Sequence, residues 1–108
     1  MKSQNTEVFE HMKISACKAE AVLKQLANAK RLLILCSLLG GEKRVGDLCQ
    51  IIDLSQSSLS QHLAKMRDAG LITSEKRGLM VFYRISSMEV HVLLSTLYLI
   101  YCNNKNTK

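Results

Sequence analysis

A chain of 108 residues has room for one domain with a modest core. At 47% hydrophobic and 22% charged it has a folded rather than a disordered composition, and without Trp and with 5% aromatics it lacks the stacking platform of a single-strand binder. Fifteen Lys and Arg against nine Asp and Glu leave a net charge of +6, which suits a polyanionic partner, since each neutralised phosphate releases counterions, but equally serves as plain solubility charge.

In chain order, helix formers run from about Glu7 to Leu26, with Val8, Met12, Ala16, Leu23 and Leu26 roughly at helical spacing. Residues 1–7 carry no apolar segment of a signal peptide, and no apolar run reaches the ~20 residues of a membrane span. A cytoplasmic location is expected. Thiols are kept reduced there, so Cys17, Cys36, Cys49 and Cys102 read as small buried residues or reactive thiols, not as a static disulfide framework. Asn28 caps a second helix, which Gly40-Gly41 ends. A short third helix spans Arg44 to Asp53, with Val45, Leu48, Cys49 and Ile52 inward. After a tight turn at Leu54-Ser55, Ser55 caps a fourth helix that runs to Ala69 and closes at Gly70.

Two short β-prone runs follow, 71–75 and 80–85, flanking Lys76-Arg77-Gly78 as a hairpin turn. Ser86 or Ser87 then caps a last helix through about Cys102, before a polar tail at 103–108. That helix is apolar on more than one face, so part of it needs cover from outside its own domain. The expected architecture is a single domain over 1–108: mainly α, with a small β-hairpin wing.

Two helices joined by a short turn, the second of them polar, make a helix-turn-helix. Leu59, Leu63 and Met66 form the stripe that holds the fourth helix to the body. The remaining face shows Gln56, Ser57, Ser58, Ser60, Gln61, His62 and Lys65. Such short donors and acceptors fit a major groove, with Gln suited to adenine, Ser to base or phosphate and Lys to phosphate or guanine. A solvated helix face is the plain alternative. The nearly uncharged run, the turn and buried helix before it, and the basic hairpin residues Lys76 and Arg77 after it favour DNA.

Residues 23–102 resemble the ArsR/SmtB family of bacterial repressors. The resemblance is carried by 26–35, by Val45-Gly46-Asp47-Leu48, by 54–63 with its Ser60-Gln61-His62-Leu63, and by Leu71-Ile72 and Val81-Phe82-Tyr83. It implies a homodimer through the first and last helices, a partly palindromic double-stranded DNA operator, and release on arrival of an inducer. Two metal sites occur in such proteins. At the matching positions of the third helix this chain has Arg44 and Gly46, leaving only Cys49. On the last helix it has Glu89, His91, Cys102 and Lys105, with a cation in place of a ligand. No bound metal and no cofactor are expected.

Cys36 in the second helix and Cys102 at the end of the last resemble the dithiol, persulfide-sensing branch of that family, the BigR/SqrR/YgaV and HlyU-like regulators. The resemblance implies that reactive sulfur species or oxidants bridge the two thiols and weaken DNA binding, in control of sulfide-detoxification genes. Two rival regulators stay open: a metal or metalloid sensor, and an anti-silencing virulence activator. A thiol enzyme or a metal-buffering protein is disfavoured, since there is no Cys-x-x-Cys, nucleophile elbow, Gly-rich phosphate loop or His-Glu-x-x-His.

Overall fold

The structure, a computed structural model, describes residues 2–102, with side chains from Asn5 onward. The polar tail at 103–108, including Lys105, lies outside the described residues. Five helices and three strands follow one another: α1 (Lys2–Leu26), α2 (Ala29–Leu38), β1 (Lys43–Arg44), α3 (Val45–Ile51), α4 (Gln56–Asp68), β2 (Ile72–Arg77), β3 (Met80–Ile85) and α5 (Met88–Tyr101).

Local chemistry sets most of these boundaries. Asn28 accepts from the Arg31 N–H at 3.1 Å, Ser55 from Ser58 N–H at 3.2 Å, and Ser87 from Val90 N–H at 3.2 Å. Each satisfies a donor that the first helical turn leaves open. Ser87 is therefore the cap of α5, while the Ser86 hydroxyl donates to the Gly70 carbonyl. Gly70, at φ 80°, ends α4, and the N–H groups of Gly70 and Leu71 return to the carbonyls of Arg67 and Met66. That is a Schellman closure, which needs the left-handed conformation glycine tolerates. Ser55→Ala is expected to lower stability by about 1 kcal/mol, read as a lower urea midpoint at unchanged slope.

Three expectations need correction. α1 begins at Lys2, not near Glu7. The third helix is shorter, and Lys43–Arg44 pair as a strand with Tyr83 and Phe82, completing an antiparallel sheet of order β1-β3-β2. Lys76 and Arg77 lie within β2, paired with Val81 and Met80, so the turn is Gly78-Leu79. Gly78 has φ 63° and Leu79 does not have positive φ, the arrangement of a type II′ turn, whose twist suits a two-residue hairpin.

The core is a single cluster. Ile34 and Leu35 of α2, Leu48 of α3, Leu59, Leu63 and Met66 of α4, Ile72 of β2, and Val90 and Leu94 of α5 are fully buried. α2 lies at its centre, packed against α1, α3, α5 and β3. α1 contributes only Leu26 and, partly, Val22. Its Val8, Phe9 and Met12 stay exposed, as do Val92, Leu99 and Ile100 of α5. Among the described residues no helix is long and apolar enough to cross a membrane.

Candidate functional site

α3 and α4 form the helix-turn-helix. Asp47 reaches back to the Arg44 N–H at 3.2 Å and pairs with its guanidinium at 3.5 Å, closing the first turn of α3. These contacts hold the Asp47 carboxyl below the usual carboxylate range. α4 sits on the body through Leu59, Leu63 and Met66. On its other faces Gln56, Ser57, Ser60, Gln61 and Lys65 are exposed, whereas Ser58 and His62 are half-buried. Ser57, Gln61 and Lys65 recur every four residues and so share one face. Ser58 is committed at its backbone to the cap, and the Ser57 hydroxyl lies 3.3 Å from that of Ser55.

His62 has a partner that sequence reasoning missed. Arg31 Nε of α2 donates to its Nδ1 at 3.4 Å. Burial, then the charges of Arg31 and Lys65, lower the affinity of the ring for a proton.

The two basic wing residues have different surroundings. Lys76 is exposed and makes no ion pair among the described residues. Arg77 donates to both oxygens of Glu42, at 2.6 and 2.8 Å, and to Glu75 at 3.0 Å. Its guanidinium also lies 4.5 Å from the centroid of the Phe82 ring. Hydrogen bonds from Arg77 hold Glu42 and Glu75 below their ordinary range, and the two carboxylates raise Arg77 in turn. Arg77 thus ties the hairpin to the segment before β1, and Arg84 adds a contact to Glu75 at 3.4 Å. Glu42 carried no signal in the sequence, because its partner is 35 residues away.

All four cysteines are free. Cys36 is half-buried on α2, which packs on α5, and Cys102 is the exposed C-cap of α5. Burial pushes the Cys36 thiol up, and the charge of Cys102, within electrostatic reach, pushes it further. Cys49 is half-buried against the core and Cys17 is exposed on α1. Glu89 and His91 are both exposed on α5. Among the described residues no three His, Cys, Asp or Glu side chains gather as a metal site would need.

Residues 28–74 match the model of the arsR family of bacterial regulatory proteins. The transcriptional activator HlyU of Vibrio cholerae is 45% identical over 94 residues, covering 87% of either chain. The structure of its reduced form superposes with a TM-score of 0.83, covering 86% of this chain and 98% of that one. The transcriptional repressor BigR of Xylella fastidiosa is 33% identical with a TM-score of 0.81, covering 89% and 95%. A homodimeric winged helix-turn-helix DNA-binding domain from Mycobacterium bovis, 26% identical, superposes at 0.72 over 82% of each chain. With this fold, this match over α2 to β2 and these relatives, the chain belongs to the ArsR family of bacterial regulatory proteins, in the branch that holds HlyU and BigR, and is a winged helix-turn-helix DNA-binding regulator of transcription rather than an enzyme.

Proposed function

We propose that the protein is a cytoplasmic homodimeric repressor that releases its operator when reactive sulfur species or oxidants bridge Cys36 to Cys102. The observation that carries this reading is the placement of two free thiols, one on α2 and one at the end of α5, near enough for one charge to act on the other. Sulfide-detoxification genes are the targets such an inducer suits.

Exposure gives Cys102 the first attack. Its thiolate takes the outer sulfur of a small-molecule persulfide and releases that molecule's thiolate. The Cys36 thiolate then attacks the Cys102 sulfur, forming the disulfide and expelling hydrosulfide. Two protein thiols lose two electrons, and the transferred sulfur carries them away as hydrogen sulfide. A second persulfide, on Cys36, would leave one extra sulfur in the bridge. Burial first and the charge of Cys102 second raise the Cys36 thiol, which suits it to the second role rather than the first.

The exposed apolar faces of α1 and α5 support the dimer. Between these helices runs an open groove of about 870 Å³, lined by Ala19, Val22, Leu23, Met88, Val92 and Leu93 among others. A bridge from α2 to the C-cap of α5 would shift that interface. The two copies of α4 must enter successive major grooves about 34 Å apart, so a small rotation lowers affinity. Gln56, Ser57, Ser58, Ser60, Gln61, His62 and Lys65 are the proposed contacts on α4, with Lys76 on the wing. Arg77, bound to two carboxylates, serves there by holding the hairpin.

The Vibrio cholerae relative is a transcriptional activator, which favours a second reading in which the same grip on DNA turns a gene on; displacement of a silencing protein is the route we propose for it.

The test uses a duplex that the protein itself selects from a random-sequence pool. After glutathione persulfide, intact mass should show a Cys36–Cys102 bridge: the dithiol mass less two hydrogens, plus one sulfur for each extra atom in a longer bridge. Affinity on the same sample should fall at least tenfold, within the 5–150-fold span usual for coupled sites. Cys36→Ser and Cys102→Ser should keep their affinity under the same treatment. Unbridged thiols, or a bridge with unchanged affinity, would remove the switch and leave the DNA-binding assignment standing.

A further inference from the structure

We propose that Arg31 is a positioning residue of the DNA interface: by donating to Nδ1 of His62 it fixes that ring as the Nε2–H tautomer, a neutral hydrogen-bond donor on α4. The proposal deepens the assignment of α4 to the major groove and rests on it.

The geometry leaves little freedom. Arg31 Nε lies 3.4 Å from His62 Nδ1. A guanidinium has only donors, so Nδ1 must accept and carries no proton. A neutral imidazole then holds its hydrogen on Nε2. The guanidinium is itself fixed from the other side, where Nη1 donates to Gln25 Oε1 at 2.8 Å and to the Gln25 carbonyl at 3.3 Å. All three side chains are half-buried. The backbone of Arg31 is also held, through its N–H to the Asn28 side chain. One residue therefore joins the end of α1, the first turn of α2 and the middle of α4.

The charged groups acting on His62 are Arg31 from α2 and Lys65 from α4, both cations, while Gln25 of α1 accepts from the guanidinium. Together with burial they keep the ring neutral at pH 7. A neutral Nε2–H donor suits an acceptor on DNA: a phosphate oxygen, guanine O6 or N7, or thymine O4. It also means that any movement of α2 against α4 changes the donor that α4 presents.

Nitrogen-15 NMR of the imidazole rings in the free protein reads the tautomer directly. The wild-type His62 ring should be Nε2–H, and Arg31→Ala should give a mixture of tautomers. With the self-selected duplex at pH 7.5, Arg31→Ala should bind about tenfold more weakly, on the scale of one lost hydrogen bond per protomer. The salt slope should not change, because the donor that Arg31 positions is uncharged and displaces no counterion. His62→Gln places an amide donor where Nε2 stood, so in that background Arg31→Ala should cost less than twofold. An Nδ1–H ring in the wild type overturns the proposal, as does an equal Arg31→Ala loss in both backgrounds. If Gln56→Ala and Gln61→Ala also bind like wild type, the assignment of α4 is what has failed.

Discussion

Leu63→Ala is expected to lower unfolding stability by about 2–5 kcal/mol. Leu63 is 1% exposed and lies in the middle of the stripe that seats α4, between Leu59 and Met66. Removing its branched end strips buried methyl groups and leaves a cavity that close-packed neighbours on several elements cannot collapse into. A domain of this size has about 5–15 kcal/mol in total, so the variant would stand near its unfolding threshold at 37 °C. Equilibrium urea unfolding measures the loss, with an unchanged slope showing that the unfolded state is the same. The structure adds a functional expectation. α4 is seated on the body through this stripe, so at 10 °C, where the variant is still folded, operator affinity should fall too. A loss below 1 kcal/mol would mean that Leu63 is not the anchor of α4 described here.

Much of the fold was legible because its signals are local. Asn28, Ser55 and Ser87 are caps whose partners lie three residues on, and Gly70 and Gly78 mark backbone conformations that other residues resist. The periodic Leu59, Leu63 and Met66 likewise give the orientation of α4 without any knowledge of what covers it. What escaped is non-local. β1 is two residues long and exists only because β3 passes beside it. A basic residue near a hairpin tip reads as a phosphate contact, yet Arg77 is claimed by Glu42 from far along the chain. His62 was read as one member of a polar face, although its Nδ1 belongs to Arg31, 31 residues earlier. The nearness of Cys36 and Cys102 depends on α2 packing against α5, which no spacing reveals. In each case the missing information is which tertiary neighbour takes up a charge or a lone pair.

The second large effect concerns the surface that the isolated chain leaves uncovered. Val92→Glu combined with Leu99→Glu is expected to produce a folded monomer with at least 100-fold weaker operator binding. Val92 is 57% exposed and Leu99 60%, so neither substitution opens the core that Val90 and Leu94 fill from the opposite side of α5. Against a second copy, however, four carboxylates would be brought into an apolar contact without partners, at a desolvation cost that such an interface cannot offset. The affinity loss follows from linkage. Once one half-site is held in a dimer, the second binds at a high effective concentration, and separating the two recognition helices forfeits a factor of about 10²–10⁴. Sedimentation at micromolar protein concentration separates the possibilities. A monomer with wild-type circular dichroism and poor binding supports the α1–α5 interface. A dimer that persists with both glutamates in place would show that the two copies meet elsewhere. A Cys36–Cys102 bridge would then need a route to α4 that does not pass through α5, and the bond from Arg31 to His62 is a link that α2 makes directly.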